Sequence, residues 1–123
     1  MQRNPGVAFL FVAALVPAVA AAKTPEQIFQ QASQSVVVIH ASDGEGNPTN
    51  QGGGVVTGRE LVTTNCHVIE GAASLEVHYR EQTYSATLAS ANQERDLCQI
   101  RVPHLNAPRA MLNTSRVRVG QRV

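Results

Sequence analysis

Apolar positions along the chain fall into three textures. Gly6 to Ala22, "GVAFLFVAALVPAVAAA", is continuous and uncharged. "TPEQIFQQASQS", starting at Thr24, has only Ile28 and Phe29 as large apolar residues. It predicts a short helix with Thr24 as N-cap, Pro25 at the first helical position and Gln27 completing a capping box. From Ser35 the texture becomes alternating and β-branched. "SVVVIH", "SLEVHY", "TYSATLAS" and "DLCQIRV" predict strands, and "VVTG" with "ELVTT" predicts a hairpin around Gly58 and Arg59. "ASDGEGNPTNQGGG" is expected to be a loop and "REQ" a turn, while strand texture returns in "SRVRVG" and runs to Val123. Short, regularly spaced strands with turn signals between them imply an all-β barrel or sandwich of antiparallel strands.

The first texture reads as an export signal. Arg3 supplies the positive start, and both Ala18-Val19-Ala20 and Ala20-Ala21-Ala22 meet the small-x-small cleavage rule. As an anchor the run is interrupted by Pro17 and falls short of the roughly 20 residues a spanning helix needs. Residues 1–22 are therefore expected to be cleaved, leaving 23–123 as one domain, secreted or periplasmic and free of the membrane.

Composition narrows the partners. The 123 residues carry a formal charge of +1 with a mean hydropathy of −0.11, and the basic residues are spread along the chain. No nucleic acid is expected, because that binding needs a dense basic patch. Aromatic residues make up only 4% and there is no Trp, so Val, Leu, Ile and Ala must fill the core.

Glycines 53 and 58 have the spacing of a phosphate loop, but Arg59-Glu60 follow where Lys-Ser/Thr is required, and Thr57 stands where a dinucleotide motif needs its third glycine. No nucleotide cofactor is expected. His67, in "LVTTNCHVIEGA", is open to three roles: buried structural imidazole, metal ligand or general base. His40, His78, His104, Cys66 and Cys98 are dispersed singletons with no C-x-x-C or H-x-x-x-H, so no metal is expected either.

Taken together, "GGGVVTGRELVTTNCHVIEGA", "YSATLASANQERDLCQIRV" and "TSRVRVGQRV" resemble the first half of the trypsin-like serine peptidases, most closely the bacterial HtrA-type branch. The resemblance covers about Thr24 to Val123. It implies a six-stranded antiparallel barrel, the first of two, acting on polypeptide substrates. It places His67 on the family's catalytic histidine and Asp96 on its aspartate, in the order His then Asp. Imidazole's pKa near neutrality suits a base that takes a serine's proton and returns it, and the carboxylate fixes its tautomer.

One departure is decisive. Ser33, Ser35, Ser42, Ser74, Ser85, Ser90 and Ser115 are the only serines, and none precedes a glycine. The Gly-x-Ser-Gly-Gly loop that supplies nucleophile and oxyanion hole is absent. The expectation is thus one wall of a cleft, incomplete at its C-terminus, with the serine in a second barrel beyond Val123. The alternative is an inactive exported barrel acting as a binding or assembly module.

The two cysteines flank the two matched residues. If His67 and Asp96 meet, Cys66 and Cys98 are brought together as well, and alternation puts Cys98 on one face with Ile100 and Val102. In an exported protein this predicts a Cys66–Cys98 disulfide.

Overall fold

The computed structural model describes residues 1–2 and 22–121, so the predicted leader lies almost wholly outside the described residues. Among the described residues no helix is long and apolar enough to cross a membrane.

Helix α1 (Pro25–Ala32) starts where the capping signal places it: Thr24 Oγ1 accepts from the Gln27 N–H at 3.2 Å, and the Gln27 side chain accepts from the Thr24 N–H at 3.0 Å. None of its residues is buried. A 3-10 turn, Ser33–Ser35, links it to the barrel and is held there by Tyr79, whose hydroxyl donates to the Gln34 carbonyl at 2.9 Å.

The rest is all β. Strands β1 (Val36–Ser42), β2 (Pro48–Gly58), β3 (Leu61–Thr64), β4 (Ser74–Tyr79), β5 (Gln82–Asn92) and β6 (Leu97–Arg101) close into an antiparallel barrel in the order β1-β2-β3-β6-β5-β4. A single helical turn, α2 (Cys66–Ile69), sits between β3 and β4. Alternation sends Val37, Ile39 and Ala41, Val62, Leu75 and Val77, and Cys98 and Ile100 inward. The core is small aliphatic side chains, as an aromatic-poor sequence requires.

Two expectations need correction. The glycine-rich stretch is a loop only as far as Asn47; from Pro48 it is the first half of β2, paired with β1. A side chain does not fit there. A Cβ on Gly54 would lie 2.5 Å from Val62 and 2.9 Å from Ile39, and one on Gly52 would lie 2.5 Å from Val68. These glycines leave room for the side chains of Val62, Ile39 and Val68, a role that reads as loop by composition. The turn that remains is ordered by its own carboxylate. The Asp43 carboxylate accepts from the Glu45 and Asn47 N–H groups, both at 2.9 Å. Finally, "SRVRVG" is not a strand: among the described residues none follows β6, and Val117 and Val119 are exposed. Its alternation lacks a neighbour to pair with, and a ladder needs two sides.

Candidate active site

The His67 segment is built by three restraints at the end of β3. Buried Thr64 donates its hydroxyl to the Gly53 carbonyl at 2.8 Å, fixing the strand end against β2. Asn65 is extended and makes no side-chain cap; its amide instead donates to the Asp96 carbonyl at 3.0 Å. The chain then coils. One helical turn buries Cys66, Val68 and Ile69 together and leaves His67 facing outward. Val68 presses on the bare face of Gly52, and the Asn50 amide donates to the His67 carbonyl at 2.9 Å.

Asp96 arrives from the other side. A 3-10 turn, Gln93–Arg95, is capped by Asn92, whose side chain accepts from the Arg95 N–H at 3.1 Å. Asp96 ends that turn in the left-handed region, φ 52°, immediately before β6 rather than as its first residue. Few side chains tolerate that conformation, and Asp is one of them. The kink aims the carboxylate back at α2. Oδ1 accepts from the His67 backbone N–H at 3.0 Å, and Oδ2 lies 2.6 Å from His67 Nδ1.

The two residues therefore meet through both backbone and ring. The His67 N–H, followed by its ring, holds the Asp96 carboxyl below its ordinary value of 3.8; partial desolvation opposes this and loses. An ionised Asp96 accepts a hydrogen bond from Nδ1–H, which leaves Nε2 as the free basic nitrogen. The His67 side chain is 65% exposed and that of Asp96 42%, so the pair sits on an open face. No serine hydroxyl hydrogen-bonds to His67 among the described residues.

Cys66 and Cys98 form a disulfide, with Cα atoms 4.9 Å apart and both residues buried. It joins the residue before His67 to the second residue after Asp96. The sequence assigns no role to Asn50 or Asn65, the two tethers. Asn65 lies within the His67 stretch, but Asn50 is distant in sequence and nothing in its surroundings marks it. His40 and His78, set aside as singletons, also meet: their ring centroids are 4.4 Å apart. Among the described residues no group of three His, Cys, Asp or Glu side chains is arranged to hold a metal ion.

No protein-family model matches the chain, and no curated protein matches it. Solved structures do. The chain is similar to the active form of the Rv3671c protease from M. tuberculosis, with a TM-score of 0.69 and 24% identity over 90% of this chain and 51% of that one. The inactive form of Rv3671c gives 0.65 and 25%, over 74% and 43%. The serine endoprotease from Yersinia pestis gives 0.69 and 22%, over 78% and 35%. The chain thus spans about half or less of the length of each. The fold is that of a trypsin-like serine protease barrel.

Proposed function

We propose that this chain is the His- and Asp-bearing barrel of an exported serine endopeptidase of the HtrA type, with residues 1–22 as its cleavable signal and residues 23–123 as its first barrel. The observation that carries this reading is the double engagement of Asp96 by His67, at 2.6 Å through the ring and 3.0 Å through the backbone. A carboxylate merely solvated beside a turn has no reason to hold an imidazole by one specific nitrogen.

In this mechanism His67 Nε2 takes the proton from a serine hydroxyl as its oxygen attacks the peptide carbonyl carbon. Asp96 keeps Nδ1 protonated and stabilises the imidazolium. The same proton passes to the leaving amine as the C–N bond breaks. Water, deprotonated by His67, then hydrolyses the acyl-enzyme. The serine and the oxyanion hole come from a second barrel, which would also cover the open face of the pair. The incomplete coverage of the solved proteases and the absence of any Ser-Gly pair support this division.

A fluorophosphonate probe tests the proposal on the exported polypeptide. The expected result is one labelled serine within a Gly-x-Ser-Gly-Gly segment outside residues 1–123, with labelling lost in His67→Ala. No labelling at all would favour the inactive binding module. Labelling of one of the seven serines here would place the nucleophile within this barrel and overturn the two-barrel account.

A further inference from the structure

The barrel end opposite His67 holds a second concave surface. His67 follows β3 and Asp96 precedes β6, whereas this surface is built from residues before β3 and after β6. The cavity measures about 570 Å³. Arg59 and Glu60 reach it from the β2–β3 turn, and His104, Leu105, Asn106 and Arg109 from the segment after β6.

Its two walls are fixed to each other. The Val102 N–H donates to the Glu60 carbonyl and the His104 N–H to Glu60 Oε1, both at 2.8 Å. Glu60 and His104 both occupy the left-handed region, with φ 54° and 66°. Residues other than glycine hold that conformation only where their surroundings impose it. Leu105 is buried, Ala107 packs against the core, and the Ala110 N–H donates to the Val56 carbonyl. The backbone around the cavity is therefore set before anything binds, which lowers the cost of binding.

The charges there are unbalanced. Arg59 and Arg109 are exposed, and among the described residues neither guanidinium lies in an ion pair. Glu60 is the one carboxylate in the cavity lining, and one of its oxygens is engaged by His104. From this arrangement we propose that the cavity binds an acidic segment of polypeptide, whose carboxylates pair with Arg59 and Arg109. Guanidinium presents paired N–H donors that match a carboxylate. The exposed Asn106 side chain offers both a donor and an acceptor, as an extended peptide backbone requires. Asn106 also lines an adjoining hollow with Arg80, Glu81 and Tyr84, so the surface extends past the reach of a single free oxyanion. This binding needs no catalysis and stands apart from the peptidase reading.

The experiment follows backbone amide resonances of the full chain at low salt. The probe is an end-blocked hexapeptide of glutamate and alanine, with its glutamine counterpart and inorganic phosphate as controls. The proposal expects shifts at Glu60, Asn106 and Arg109, none at His67, and their loss on adding salt to about 0.5 M. Arg59→Gln and Arg109→Gln should each weaken binding by about threefold to tenfold. Glu60→Gln keeps an acceptor for the His104 N–H but removes the opposing charge, so it should tighten binding. The shifts in the unsubstituted chain locate the site however the variants fold. Absence of shifts at millimolar peptide would overturn the proposal, as would equal binding of the glutamine peptide or shifts centred on His67. Phosphate that reproduced the peptide's shifts at the same concentration would assign the site to a free oxyanion and overturn the polypeptide assignment.

Discussion

The rim that carries His67 and Asp96 and the segment after β6 share the same strand-like alphabet and end in opposite states. The rim is cross-tied by Thr64 to Gly53, Asn50 to His67, Asn65 to Asp96 and Cys66 to Cys98. In the segment beyond Leu105, Met111, Leu112, Val117 and Val119 lie exposed. It is tied to the barrel by Ala107, which packs against the core, and by the Ala110 N–H, which donates to the Val56 carbonyl at 2.8 Å. Alternation of apolar residues makes a strand only where a neighbour is present to take the hydrogen bonds. Order in this molecule follows contact, and the rim has cross-ties that the segment beyond Leu105 lacks.

The sharpest way to break that contrast is to fill the space in front of Gly54 that core side chains occupy. Gly54→Val should prevent folding or lower stability by several kcal/mol, since its side chain would enter space occupied by Val62 and Ile39. Ile100→Ala, at a fully buried site, should cost about 2–5 kcal/mol. Denaturant unfolding measures both. Val119→Ser in the exposed segment should change stability by no more than about 0.5 kcal/mol. A comparable loss from Val119→Ser would show that the segment is packed against something.

Reduction of Cys66–Cys98 comes next in size. With a sequence separation of 32, the chain-entropy model assigns about 3–4 kcal/mol to the crosslink. Melting of oxidised against reduced protein should show it, and an unchanged Tm would remove the disulfide from the account of rim order. Two free thiols by mass spectrometry of the exported, unreduced protein would remove the bridge itself.

The tethers are smaller. Asn65→Ala deletes one side-chain hydrogen bond and Asn50→Ala two, the second accepted from the Gln51 N–H, each on exposed ground and worth about 0.5–1.5 kcal/mol. Their sharper effect should be on His67, whose ring nitrogen resonances report loosening of the Asp96 contact.

The smallest effect is acid dependence. Because the Asp96 carboxyl is held below 3.8 in the folded chain, its contribution is present above that value and fades as pH falls through the lowered one. Asp43 is lowered too, chiefly by the Asn47 backbone, and contributes in the same direction. Asp96→Asn should therefore flatten, without abolishing, the loss of stability below about pH 4. A slope identical to that of the unsubstituted protein would mean that the His67 contact is absent in solution.

Much of this was legible because it is local. The Thr24 capping box, the β-branched strands and the inward face of Cys98, Ile100 and Val102 depend on neighbours a few residues away. The cysteine pairing was legible from the meeting of His67 and Asp96 that the family resemblance implies. What escaped depends on closure. The glycines of β2 look like a loop until the side chains of Val62, Ile39 and Val68 occupy the space in front of them. His40 and His78 meet only because β4 returns to β1, and Asn50 reaches His67 only because β2 continues past its expected start. The coiling of Cys66–Ile69 was hidden for a related reason: "CHVI" has strand composition, and only tertiary contacts bury Cys66 and Ile69 together.

The central claim is that Asp96 orients His67 as the base of a serine peptidase. The most direct measurement is kcat for peptide hydrolysis by the polypeptide that includes the proposed second barrel, comparing the unsubstituted enzyme with Asp96→Asn. An asparagine preserves shape but offers an amide where Nδ1–H needs an acceptor, so kcat should fall by a factor on the order of 10⁴ with folding intact. A kcat within a few-fold of the unsubstituted enzyme would contradict the account and return Asp96 to the role of a turn residue that happens to touch His67.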